Sequence, residues 1–473
     1  MTGRRARLAG LVAIVTFGVI LRSWGLGWGL FDASVGRRTH PDEWVVYWLA
    51  QWFGQNHTLN PCPHPGTECF LDWGAAFPYA AFLAKVALTP LTSLLDSAAF
   101  GHGADPAFVS AVFSGRLVSV LTSGAAIVVA YLAGREAFGE TVGLWTALLI
   151  ALSTLLVQLA HFATPDSTTL LLFSLAMLSI LRLDTHATAL RFAVGGGLIG
   201  AATASEFHMM LLFAPLAVAW LLAPGRRALW LPLAAAGAVA VFLALNPYIL
   251  VDLSAFITAT EHTLRIRTTD SAAEYQNRWS PYGPAWLFVV RYDLGYGEGF
   301  AITGWMLAGL LRALWRRSRP DLILLSWIVP YFMLVTVSPA KFMRYGAPLL
   351  LPLAILGARF GIELWRTGDR RLRPAVLALG VAAIAYTAIY DGAYAGLFAV
   401  ADPRAVAASL VPPASPKPTT IAFEAPPDGI LNLPEFFPPG TLRPCFSSGA
   451  LTSLLGAPFV MTDSFTRDET PQS

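Results

Sequence analysis

Charge is scarce in this sequence: Asp, Glu, Lys and Arg make up 13% of its 473 residues, where a soluble domain carries about a quarter. Apolar residues reach 55% and the mean hydropathy is +0.58. That profile excludes a water-soluble globule and fits a chain that crosses a membrane many times. The formal net charge of +3 is too small to imply a nucleic-acid partner. Cysteine is rare too, and three of them cannot build a disulfide-dense scaffold. The sequence has no P-loop, no dinucleotide fingerprint and no internal repeat. A cleavable leader is missing as well. MTGRRAR runs straight into LAGLVAIVTFGVIL with no small-residue cleavage site, so the first apolar run reads as an uncleaved span.

What is present is a series of helix-length apolar runs, the unit of about 17–25 residues that crosses a bilayer. They lie at 8–29, 108–133, 141–160, 165–183, 191–205, 206–223, 228–249, 298–315, 321–338, 345–364 and 374–397. A further run, FPYAAFLAKVALTPLTSLL (77–95), carries Lys85 and Pro90. Counting it as a span reverses the side of everything after it, and the positive-inside rule decides against that. With 77–95 unspanned, the inside collects Arg4, Arg5, Arg7, Arg135, Arg182, Arg191, Arg226, Arg227, Arg312, Arg316, Arg317, Arg319, Arg366, Arg370, Arg371 and Arg373. The long loops 30–107 and 250–297 then fall outside with the tail. The expectation is an all-α polytopic protein of the cell membrane (inner or plasma), with about eleven spans, the N-terminus inside and 77–95 as a helix lying in the outer interface. Residues 1–400 form its membrane domain. The tail, 401–473, reads as a short helix, a Pro-rich connector at PPASPKPTT, a strand at IAFEAP and further loops.

Under this topology HPDE (40–43), HFATPD (161–166), SEFH (205–208), NPYILVD (246–252) and SPAKFMRY (338–345) all emerge outside. Packing alone does not explain five polar clusters on one face; they outline a site at the membrane–water boundary. Asp42 and Glu43 stand just before Trp44, Tyr47 and Trp48, where the first long loop re-approaches the bilayer through an aromatic belt. Such a pair serves as a metal site, as an acid/base pair or as a solvated turn, and the dipeptide alone does not choose.

The order of these segments resembles a known family. A first span, a long outer loop opening on HPDE, a surface helix and then SGRLVS (114–119) match the GT-C glycosyltransferases, specifically the protein O-mannosyltransferase-like branch (family 39) with its bacterial aminoarabinose-transferase relatives. LAHFATPDSTTLLLFSLAMLSILRL (159–183) is similar to that family's third-to-fourth span junction, and AKFMRYGAPLLLPLAIL (340–356) to its late Lys-Phe-x-Arg-Tyr segment. The resemblance covers residues 1–400 and implies a GT-C fold. It also implies an activity: an inverting transfer of a sugar from a polyprenyl-phosphate donor to an acceptor hydroxyl of a glycan, lipid or protein on the outer face.

Each candidate residue then takes an expected part. By resemblance Asp42 is the base and Glu43 its neighbour, shaping the local field or the acceptor contact. One base must deprotonate the acceptor, and cations must hold the departing phosphate. Arg116 is a phosphate ligand or an arginine snorkelling to the interface. Lys341 and Arg344 are a second phosphate pair or interfacial anchors; His40 and Tyr345 flank the two carboxylate- and arginine-bearing motifs as further substrate-site candidates. Arg265 and Arg267 are weaker, since loop charges are usually solvated. Asp166 opens a helix, where the macrodipole alone favours a carboxylate; the family arrangement makes it a second acid facing Asp42. Glu206 and Phe207 depart from the lysine-aromatic pair of many relatives, and Glu206 with His208 offers a weak divalent-metal site, weak because two residues two apart on a helix point apart. Cys62 and Cys69 frame PCPHPGTEC and are expected to form a disulfide in an oxidising loop, although His57 and His64 nearby leave zinc open. Rival readings are a transporter or flippase of lipid-linked sugars, which calls for mid-bilayer charges and inverted repeats, and a catalytically silent protein of the same fold.

Overall fold

The structure is a computed structural model. It describes residues 2–30, 40, 42–62, 73–91, 93–94, 105–183, 185–265, 282–338, 341–367, 370–371 and 373–401, and three strands beyond them. In chain order the helices are α1 (Thr2–Ser23), α2 (Glu43–Asn56), α3 (Ala76–Ala87), α4 (Pro106–Phe138), α5 (Glu140–Ala151), α6 (Thr154–Ala160), α7 (Asp166–Leu183), α8 (Ala189–Thr203), α9 (Phe213–Leu222) and α10 (Trp230–Leu245). They continue as α11 (Tyr248–Val251), α12 (Leu253–Arg265), α13 (Ala285–Phe288), α14 (Phe300–Arg316), α15 (Arg319–Val337), α16 (Ala347–Thr367) and α17 (Arg373–Gly396). Short 3-10 turns at Phe207–Leu212 and Met343–Gly346 and a π-helical segment at Val289–Tyr296 interrupt them. In the tail, β1 (Thr419–Phe423) pairs in parallel with β2 (Leu442–Phe446) and β3 (Phe459–Met461), in the order β2-β1-β3.

Every one of the eleven predicted runs coincides with a helix or a helix pair. Among the described residues, six helices are long and apolar enough to cross a bilayer, and a seventh if α5 and α6 count as one span bent by 59°. The chain is a multi-pass membrane protein. At 12 residues, α3 is about 18 Å long, too short for a hydrocarbon core of about 30 Å.

Small residues set the closest helix contacts. On α8, a Cβ at Gly196 would stand 1.9 Å from the Ala234 carbonyl oxygen, and one at Gly200 would stand 2.1 Å from that of Ala238. The glycine content of that short run is therefore what lets α8 and α10 approach backbone to backbone, the small-xxx-small contact of membrane helices.

Polar contacts divide the bundle into two ends. One gathers backbone and side chains from the loop segments. The Gly74 amide donates to the Ser205 carbonyl at 3.1 Å and that of Ala75 to Asn246 Oδ1 at 2.8 Å, so the start of α3 is pinned across the ends of α8 and α10. The opposite end holds arginine pairs: Arg7–Glu140, Arg182–Glu136, Arg359–Asp321 and Glu363 with Arg312, Arg316 and Arg359. A further lock lies inside the bundle, nearer the first end. Arg22 of α1 is fully buried and donates to Ser123 Oγ and to the carbonyls of Gly18, Ile150 and Ala151. Beside it, at the α5–α6 break, Ser153 donates to Glu298 and Thr154 to Asp391 of α17.

Candidate functional site

Both carboxylates of the Asp42-Glu43 pair sit at the start of α2, yet they face different surroundings. Asp42 occupies the N-cap position, and its side chain makes no capping bond. It forms an ion pair with Arg344 instead, the two side chains being 21% and 28% exposed. Glu43 is fully buried. Its Oε1 and Oε2 accept from Arg116 Nε and Nη2 at 2.7 and 2.9 Å, and Oε1 also accepts from the Ala163 amide at 2.9 Å. Arg116 completes its set by donating from Nη1 to the carbonyls of Leu26 and Trp28, each at 2.8 Å. This corrects one expectation, that of an Arg116 reaching for the interface. Arg116 is 1% exposed and bonded through all three of its nitrogens, so it is held inside the bundle and does not snorkel to the interface. Glu43 joins α2 to α4 and to the α6–α7 turn.

Arg344 lies on the 3-10 turn before α16 and gathers the other acids. Burial disfavours its charge, but Asp42 and Asp166 outweigh that and hold its guanidinium more firmly protonated than usual. Asp166, first residue of α7, is 8% exposed, and its Oδ2 lacks a hydrogen-bond partner among the described residues. Asp42 and Asp166 thus act on one cation from two different segments of the chain. His40 packs on Phe162 with ring centroids 4.6 Å apart and accepts the Asp42 amide at Nδ1, 3.2 Å. Burial lowers its pKa below the ordinary 6.5, opposed by Asp42 and Glu43, which keeps it neutral and fit to accept that bond.

Glu206 and His208 do meet, contrary to the expectation that two residues two apart on a helix diverge. The chain breaks there: Glu206 is extended (φ −142°, ψ 123°) before the 3-10 turn. His208 Nε2 therefore stands 3.1 Å from Glu206 Oε2. Tyr331 on α15 reaches His208 Nε2 at 3.3 Å and donates to the Tyr345 carbonyl at 3.1 Å, linking this pair to the Arg344 turn. Lys341 points elsewhere, donating to the Gly283 carbonyl at 2.6 Å; burial lowers its pKa. Arg265 is exposed at the end of α12. Among the described residues no three of His, Cys, Asp and Glu cluster as a metal set, and the acids nearest one another share an arginine. Cys62 is disulfide-bonded; Cys69, His64 and Arg267 lie outside the described residues.

One residue escaped the sequence reading. Asp293 lies on the π-helical segment, is fully buried, and neither carboxylate oxygen has a hydrogen-bond partner among the described residues. It abuts the same turn: a Cβ at Gly346 would come within 2.4 Å of its own Cβ. Burial raises its pKa well above the ordinary carboxylate value. π-Helical turns often mark functional sites, but YDLGY carries no sequence signal of one.

A multi-pass bundle with this partly exposed carboxylate–arginine pair at one end has the GT-C fold of membrane glycosyltransferases. It is similar to the Archaeoglobus fulgidus oligosaccharyltransferase tethered with an acceptor peptide containing the NVT sequon (16% identity, TM-score 0.56, covering 88% of this chain and 61% of that one). It is also similar to ArnT from Cupriavidus metallidurans in the apo state (16%, TM-score 0.53, 96% and 89%) and bound to undecaprenyl phosphate (16%, 0.53, 93% and 87%). The chain thus spans about three fifths of the oligosaccharyltransferase and most of ArnT. Residues 108–250 match the family model of dolichyl-phosphate-mannose-protein mannosyltransferase. No curated protein matches the chain in sequence.

Proposed function

We propose that this protein is an inverting glycosyltransferase that moves a sugar from a polyprenyl-phosphate donor to an acceptor hydroxyl on the outer face of the membrane. The observation that carries the reading is the Asp42–Arg344 pair, partly exposed and faced by Asp166, at the end of a bundle with the GT-C fold. A GT-C neighbour crystallised with undecaprenyl phosphate supports the donor class.

In this reading Arg344 has two anions to choose between. Without donor it pairs with Asp42. A polyprenyl phosphate entering beside it competes for the guanidinium, whose planar fork suits phosphate. Asp42 is then released as a carboxylate facing the acceptor. The acceptor oxygen attacks the anomeric carbon, the bond from that carbon to the phosphate oxygen breaks, and the hydroxyl proton passes to Asp42. Lipid phosphate leaves as a stable anion held by Arg344, so one base suffices, unlike the two carboxylates of glycoside hydrolysis. Asp166 keeps Arg344 charged and oriented while Asp42 lets go. His40 fixes the Asp42 backbone.

The test is transfer by reconstituted protein from a panel of polyprenyl-phosphate sugars, with the products weighed by mass spectrometry. One donor sugar is expected to appear on an acceptor with inverted configuration, with and without chelator. Absence of transfer from every donor, with polyprenyl phosphate crossing the vesicle membrane instead, would establish the flippase reading.

A further inference from the structure

An apolar groove lies toward the opposite end of the bundle, where the proposed transfer needs nothing. α17 is docked by one half only. Its buried residues, Thr387, Asp391 and Ala395, all lie in its C-terminal half, tied down by Thr154. Its N-terminal half leans away from the bundle, with Leu377, Leu379 and Val381 more than half exposed. Between that half and α5, α14 and α16 runs an apolar groove of about 440 Å³, lined among others by Trp145, Leu149, Trp305, Trp365 and Leu377. From Val376 to Ile384, both of which line it, the helix rises about 12 Å at about 1.5 Å per residue, half the length of a long acyl chain. The gap is roomy at its wall: a Cβ at Gly380, which lines it, would meet nothing within 4 Å.

The mouth of the groove is positively charged, and the charge is uncommitted. Most arginines at this end are paired. Arg312, Arg316 and Arg359 share Glu363, Arg359 also holds Asp321, and Arg182 holds Glu136. Arg366 lines the groove itself, and Arg370 stands exposed in the α16–α17 turn; neither has an acidic partner among the described residues. Arg373 sits over the Trp365 ring at 5.9 Å and donates to the Arg366 carbonyl, bracing that mouth. Because this end gathers the arginines that the positive-inside rule places in the cytoplasm, the mouth opens at the inner leaflet. Basic pockets between membrane helices on that side receive anionic headgroups.

We infer that the groove between α17 and α5/α14/α16 binds an anionic glycerophospholipid of the inner leaflet, an acyl chain filling the gap and the phosphate meeting Arg366 and Arg370. The bound lipid completes the half-docked helix from the side remote from the sugar-transfer cleft. Its occupant is a bilayer lipid rather than the donor, whose phosphate belongs at the other end.

The experiment takes the full chain, delipidated in detergent, and titrates it with phosphatidylglycerol, phosphatidylcholine and undecaprenyl phosphate, counting retained lipid by native mass spectrometry and following the melting temperature. Wild type is expected to retain one phosphatidylglycerol per chain about tenfold more tightly than phosphatidylcholine, the contribution of one or two arginines near a headgroup. Arg366→Gln with Arg370→Gln should abolish that preference. Gly380→Phe, which fills the groove where there is room, should remove the retained lipid while leaving the chain folded. Equal retention of both phospholipids, or retention unaffected by Gly380→Phe, would show annular lipid only and overturn the inference. Tighter retention of undecaprenyl phosphate than of phosphatidylglycerol, lost in the same variants, would assign the groove to the carrier and overturn it too.

Discussion

Asp42 and Glu43 are neighbours in the chain, and each carboxylate faces an arginine, yet they are built for different work. Glu43 and Arg116 are both buried and bidentate, with every polar atom of the guanidinium occupied by Glu43 or by a carbonyl of the α1–α2 segment. Asp42 and Arg344 are 21% and 28% exposed, and the arginine feels a second acid, Asp166, whose Oδ2 has no hydrogen-bond partner among the described residues. A pair sealed on all sides cannot exchange partners without opening the fold. A partly exposed pair with a second anion beside it can. The adjacent residues therefore divide the two requirements of a site at a membrane surface, a rigid mount and a labile charge.

The largest expected effect tests the labile half. Asp42→Asn should lower kcat of sugar transfer by about 10²–10⁴-fold with the melting temperature unmoved, read by transfer assay and by thermal unfolding of the same preparation. Transfer at the wild-type rate would remove Asp42 as the base. Glu43→Ala should do the reverse in kind: it strands Arg116 as an uncompensated buried charge, a loss of about 3–5 kcal/mol. That appears as a collapse of the melting temperature and of folded yield, and any surviving folded fraction should bind donor normally. Equal behaviour of the two variants, in either assay, would break the contrast. Arg344→Gln sharpens it further. Losing the cation should weaken undecaprenyl-phosphate binding by about tenfold or more, measured by titration, whereas the same change at a merely structural arginine moves stability and leaves affinity alone.

How much of this was readable in advance differs between helix and site. The eleven apolar runs are helices because hydropathy over some twenty residues is a local property, and the short glycine-rich run at 191–205 is explained by its close approach to α10. HPDE and the Lys-Phe-x-Arg-Tyr segment meet at one end of the bundle, where arginine counts had placed both, so Asp42 and Arg344 come together across a sequence separation of 302. The role of Arg116 was not legible. Snorkelling, phosphate binding and burial against Glu43 demand the same arginine at the same point of a helix, and only the third dimension separates them. Nor was the meeting of Glu206 with His208, because it depends on where a helix breaks. Asp293 was hidden for a different reason: an acid between a tyrosine and a leucine looks like any loop charge until its burial is known.

Asp293 supplies the smallest effect and a third kind of carboxylate. Asp42 is paired where it is partly exposed and Glu43 is clamped; Asp293 is buried, neither oxygen has a partner among the described residues, and burial raises its pKa well above the ordinary carboxylate value, favouring the protonated form in the fold. In the unfolded chain the same group ionises near its ordinary value. From there upward the folded state binds a proton that the unfolded state has released, so its contribution to stability is intact below about pH 4 and erodes as pH rises toward the raised folded pKa. Asp293→Asn keeps the shape and removes the titration. Melting temperature measured across pH 5 to 9 should therefore fall less steeply for Asp293→Asn than for wild type. An unchanged slope would mean that the group is ionised in the fold, and Asp293 would then join Asp42 and Asp166 as a third anion drawn to the Arg344 turn.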